Sequence, residues 1–138
     1  TPTLFRQSGT PMADGPTEFD EWLRERVGEG GPFTALIVLV AIGETTVELL
    51  RSTHLHVIGD EIAWAELSRM FESAKVDWNG VAIAEIRAED GGLVPDAAAR
   101  ERLAGLVESI HEDRLILNAG MFFDRLGRRL RIEEATQH

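Results

Sequence analysis

The chain has 138 residues, 43% of them hydrophobic, with no cysteine and a formal net charge of −10 at pH 7. That length suits a single domain with a core of its own. Without cysteine there is no disulfide framework, no thiolate nucleophile and no cysteine-based zinc or iron–sulfur site, and the acidity argues against nucleic-acid or anionic-membrane partners.

Residues 1–16 contain Pro2, Gly9, Pro11, Gly15 and Pro16, show no periodicity and read as an N-terminal arm. Residues 17–138 read as one domain. Thr17 is placed as a helix N-cap, with Glu18, Asp20 and Glu21 at the positive end of the helix and Phe19, Trp22, Leu23 and Val27 on its buried stripe. Gly28, Gly30, Gly31 and Pro32 end it. This glycine-rich loop precedes a strand, whereas a phosphate-cradling loop follows one, so it is not read as a nucleotide site.

Phe33–Ile42 is an uncharged strand-length run, apolar on both faces, as expected of a central strand covered on two sides. A second strand, 46–58, follows at once. Simple alternation places Val47, Leu49, Thr53, Leu55 and Val57 on one face and Glu48, Ser52, His54 and His56 on a more exposed one. A helix capped by Asp60 is expected to about Ala74, then a third strand over 81–87 and a helix from Pro95 to about Glu112. Residues 114–123 read as a fourth strand, Asp124–Gly127 as a turn and 128–133 as a fifth strand. The expected fold is therefore α+β: a mixed five-stranded sheet with about three helices, in the order α-ββ-α-β-α-ββ. No membrane span or signal peptide is read, and the expectation is a soluble cytoplasmic protein.

Three groups of residues carry candidate chemistry. His54 and His56, at i and i+2 on a strand, point to one side and could share a metal or act as acid and base, with Glu48 as a catalytic companion. A metal would need a third ligand, for which Glu48, Asp60 and His111 are candidates; with none of them secured, the expectation is no metal and no cofactor. Glu85 and Arg87, also at i and i+2, resemble in outline the metal-binding core of some nucleases, but the charge balance opposes that use. Arg125, Arg128, Arg129 and Arg131 cluster at a C-terminal hairpin and could bind an anion or an acidic partner, or simply guard a sheet edge.

The leading expectation is a non-catalytic protein-interaction or self-associating module. Its partner is a protein or a second copy, as a homodimer that sets the arginine edge against the acidic middle of the chain. The alternatives are a small metal-dependent or acid–base enzyme using His54 and His56, and a binder of a small anion at the arginine hairpin.

Overall fold

The computed structural model describes residues 17–59 and 61–131. The element order is helix α1 (Glu18–Gly30), strands β1 (Phe33–Ile42) and β2 (Val47–Val57), helix α2 (Trp64–Glu72), strand β3 (Gly80–Ile86), helix α3 (Asp96–Glu112), a short 3-10 helix (Arg114–Ala119) and strand β4 (Met121–Asp124). The strands form one antiparallel sheet in the order β2-β1-β3-β4. The class is α+β as expected, but among the described residues the sheet has four strands rather than five. The N-terminal arm, Asp60, Ile132 and Glu133 lie outside the described residues.

Two cores sandwich the sheet. On one face α1 and α2 pack Phe19, Leu23, Trp64, Leu67 and Phe71 against Phe33, Ala35, Ile37 and Leu39 of β1. On the other, α3 and the 3-10 helix pack Ala99, Leu103, Ile110 and Leu117 against Leu36, Val38 and Val40. Strand β1 is therefore apolar on both sides because both sides are covered, the pattern ordinarily met in parallel sheets. Its single buried polar residue is Thr34, which is also the only buried polar residue of the described chain.

Local chemistry explains the element ends. The Thr17 hydroxyl accepts from the Asp20 N–H at 3.1 Å and the Asp20 carboxylate accepts from the Thr17 N–H at 3.0 Å, a reciprocal cap. Asp20 also accepts from the Trp64 N–H at 2.8 Å, which ties the start of α2 to the start of α1. Helix α1 runs past Gly28 to Gly30 and stops at Gly31, whose φ of 77° is the left-handed conformation glycine adopts without strain.

The expected fourth strand is shorter because Arg114 bends the chain. Its guanidinium donates to the carbonyls of Val47, Ile110 and His111, and the Asp113 carboxylate caps the Leu115 N–H. The segment from Arg114 to Ala119 is therefore a 3-10 helix, and the strand begins only at Met121. The fifth strand reduces, among the described residues, to one bridge between Phe123 and Arg129, flanked by bonds from the Asp124 N–H to the Arg128 carbonyl at 2.9 Å and from the Leu130 N–H to the Phe122 carbonyl at 2.7 Å.

Strand β2 does not alternate simply. Its pairing with β1 slips between Leu39 and Val40: Arg51 faces Leu39, Leu49 faces Val40, and Leu50 faces no residue. This bulge lets two neighbouring residues share one face. Leu50, Leu55 and Val57 therefore pack toward α1 and α2, while Val47 and Leu49 pack toward α3. Leu49 thus lies on the histidine side of the strand, contrary to the alternation read from sequence.

Candidate functional site

His54 and His56 pair across the sheet with Leu36 and Thr34, on the face covered by α3. The loop after β3 brings α3 to them. Its turn is closed by the Ala88 N–H on the Gly92 carbonyl at 2.9 Å and the Gly91 N–H on the Ala88 carbonyl at 2.8 Å, with Gly91 at φ 89°. The chain then passes Val94, whose N–H donates to the Thr34 hydroxyl at 3.0 Å, and Pro95 opens α3. Asp96 is the first helical residue, and its carboxylate lands between the two imidazoles.

The geometry is convergent. His54 Nε2 lies 3.1 Å and His56 Nε2 2.8 Å from the same oxygen of Asp96. The rings meet edge to face, with centroids 5.6 Å apart. His56 Nδ1 is in turn 3.0 Å from the Thr34 hydroxyl. The His54 side chain is 16% exposed and that of His56 31%, whereas Asp96 is 63% exposed and opens the cluster to solvent. The hydrogen bond with His54 first, and that with His56 second, hold the Asp96 carboxyl below its ordinary pKa.

One ligand atom from each of His54, His56 and Asp96 lies within 4.8 Å of the other two. Ligand atoms about 2.0–2.2 Å from a metal stand roughly 3–3.6 Å apart, and the two Nε2–Oδ1 separations of 3.1 and 2.8 Å are close to that range. Two imidazoles and one carboxylate suit zinc, or the iron of a two-histidine, one-carboxylate centre, and do not suit the all-oxygen sites of calcium or magnesium. Three protein ligands leave positions open toward solvent.

Of the third ligands expected from sequence, Glu48 lies on the opposite face of β2, because it pairs with Ala41 while its neighbours Val47 and Leu49 pack toward α3. His111 is fifteen residues along α3 from Asp96, about 22 Å by helical rise. Asp60 is outside the described residues. Asp96 takes the place of all three. The only sequence signal for it was its position just after Pro95 at a helix start, which many acidic residues share. Thr34 had a clearer signal, as the one hydroxyl in an otherwise apolar run.

Of the other candidates, Arg125, Arg128, Glu85 and Arg87 pair with side chains of this chain, whereas Arg129 and Arg131 are exposed. Arg125 pairs with Glu72 and lies over the Trp78 ring at 5.1 Å. Arg128 pairs with Asp124 at 2.8 Å, and the Arg129 backbone donates to Glu18 at 2.6 Å. Arg131 is exposed at the end of the described chain. Glu85 bonds Arg26 at 3.1 Å and Arg87 at 2.9 Å, on the face away from His54 and His56, so it joins α1 to the sheet. Among the described residues, no helix is long and apolar enough to cross a membrane. No protein family, curated protein or solved structure matches the chain.

Proposed function

We propose that this protein binds a divalent transition metal at His54, His56 and Asp96, and that the open coordination positions are where its ligand or substrate binds. The observation that carries this reading is the convergence of both Nε2 atoms on one Asp96 oxygen. A metal there would act as a Lewis acid and lower the pKa of a bound water. The chain's own residues supply the rest: two imidazoles held at one end of the sheet and a carboxylate on a helix start.

The test is titration of chelator-stripped protein with Zn²⁺ and Co²⁺, followed by calorimetry and by the visible spectrum of Co²⁺. One equivalent per chain is expected, with at least tenfold weaker binding in His54→Ala, His56→Ala and Asp96→Ala. Wild-type affinity no higher than that of the double histidine variant would overturn the reading.

A second reading, self-association, is favoured by the place of β2. Among the described residues, this strand of eleven residues ends the sheet and pairs only with β1. Exposed Glu48 and Arg51 lie on the same face of it, so a second copy paired antiparallel would set each Glu48 opposite the other Arg51. Beside this edge lies a groove of about 280 Å³, walled by Ile37, Leu39, Leu55, Met70, Phe71 and Ala74 together with the polar Arg51, Ser52, Thr53 and His54. Sedimentation at low and high salt tests it. A dimer that persists in high salt fits backbone pairing at β2, one that dissociates fits charge pairing at the arginine edge, and a monomer in both removes self-association.

A further inference from the structure

Thr34 is fully buried, yet its hydroxyl touches three parts of the fold. It belongs to β1, it accepts from Val94 in the segment leading to α3, and it meets His56 of β2. A buried polar group in an apolar strand is costly unless its bonds are made, so this hydroxyl calls for a reason.

The proton count supplies one. A threonine hydroxyl has one proton and two acceptor lone pairs. The Val94 N–H has only a donor to give, so it takes one lone pair of the oxygen. The other partner the structure gives this hydroxyl is His56 Nδ1, at 3.0 Å. Asp96 as a carboxylate can only accept, and it lies 2.8 Å from His56 Nε2, so in a neutral His56 the ring proton sits on Nε2. The bare Nδ1 can then only accept, and the hydroxyl proton points at it.

We propose that Thr34 is the positioning residue of this centre: its hydroxyl, anchored by Val94, fixes the His56 ring and sets which of its nitrogens faces Asp96. His54 Nε2 meets the same carboxylate without that support at Nδ1 among the bonds described. The two histidines are thus unequal, His56 being the anchored ligand and His54 the adaptable one.

A metal held at His56 Nε2 would need that nitrogen bare, so the ring proton would sit on Nδ1 with no net release from the imidazole. Nδ1–H would then donate to the second lone pair of the Thr34 oxygen while Val94 keeps the first, and the hydroxyl proton would turn away from the ring. Ligating histidines commonly donate their other N–H to such a partner, and losing that partner weakens metal binding about 10–100-fold.

This inference rests on the metal reading for its affinity arm only. The test uses the full chain with ¹⁵N-labelled histidine, metal-free at pH 8, as wild type, Thr34→Ser and Thr34→Val. In the wild type, His56 is expected as the Nε2–H tautomer; an Nδ1–H tautomer there overturns the proposal whatever the variants do. Thr34→Val should give His56 a mixture of tautomers with His54 unchanged, and Zn²⁺ binding weaker by about 10–100-fold. Thr34→Ser should restore both. A Ser variant as impaired as the Val variant would assign the effect to the lost methyl and refute the role of the hydroxyl. If the wild type takes up no metal, the metal reading fails while the tautomer arm still decides the role of Thr34.

Discussion

Deletion of Leu50 is expected to leave both the fold and the histidine cluster intact. Leu50 is the residue at which β2 slips against β1, with Arg51 opposite Leu39, Leu49 opposite Val40 and nothing opposite Leu50. Its removal joins two segments already in their final register. The loss is the partial burial of one leucine against the core beneath α1 and α2. Full burial of such a side chain is worth about 1.5–3 kcal/mol, so half-burial sets the cost near 1 kcal/mol, offset in part by the regained ladder continuity. Deleting Val38 is the contrast. It lies in the centre of β1, paired with Ser52 on one side and Ala82 on the other, with no slack nearby. A one-residue shift there turns half of the central strand over, a cost comparable to the whole stability of a domain, about 5–15 kcal/mol.

Urea unfolding followed by circular dichroism measures both deletions, and an unchanged slope would report an unchanged buried surface. Zn²⁺ titration of the Leu50 deletion reads the centre directly. If β2 were a plain alternating strand, the deletion would turn Val47, Glu48 and Leu49 to the other face, which would expose two apolar side chains. An unfolded or molten Leu50 deletion would therefore refute the face assignment that places His54 and His56 beside Leu49.

Leu67→Ala, which empties a site 4% exposed beneath α2, should cost about 2–5 kcal/mol in chemical denaturation; Leu106→Ala should cost less, because Leu106 is only partly buried. Gly127→Ala should destabilise by about 1–3 kcal/mol, since its φ is 77° and a Cβ would stand 2.9 Å from Thr17 and 3.0 Å from Trp64; a melting temperature equal to wild type would refute that packing. In chelator-treated protein, the advantage of wild type over Asp96→Ala should depend on acid in one direction. The Asp96 pKa is lowered in the folded state, so its contribution is fully present above the ordinary value of 3.8 and lost as pH falls through the folded value. A wild-type advantage that grows on acidification through that window would contradict the assigned hydrogen bonds. Metal affinity should also fall on acidification, because protons compete for the ligand nitrogens.

How much was legible in the sequence depended on the range of the interaction that decided each feature. The central strand was legible because an uncharged, β-branched run announces burial on both faces by itself. The Thr17 cap was legible because its partner, Asp20, stands three residues away. The end of the fold was not: residues 114–119 are apolar enough for a strand, and the bend that makes them a 3-10 helix includes the reach of Arg114 to Val47, 67 residues distant, beside the local bonds to Ile110 and His111. The bulge at Leu50 was hidden for a related reason. Val47, Leu49, Leu55 and Val57 share a parity, so alternation assigns them one face, and the structure divides them because there is a core on each side of the sheet to receive them.

The candidate site was half legible on the same terms. His54 and His56 are two residues apart on a strand, and that spacing alone puts their rings on one side. The third member lies 40 residues beyond His56, across a helix, a strand, a loop and a second helix start. Its arrival depends on a chain of individually ordinary choices: Gly91 at positive φ closes the turn, the Val94 N–H finds the Thr34 hydroxyl, and Pro95 starts a helix whose first residue is Asp96. The residue that orients the ring and the residue that completes the cluster are therefore linked through one backbone amide.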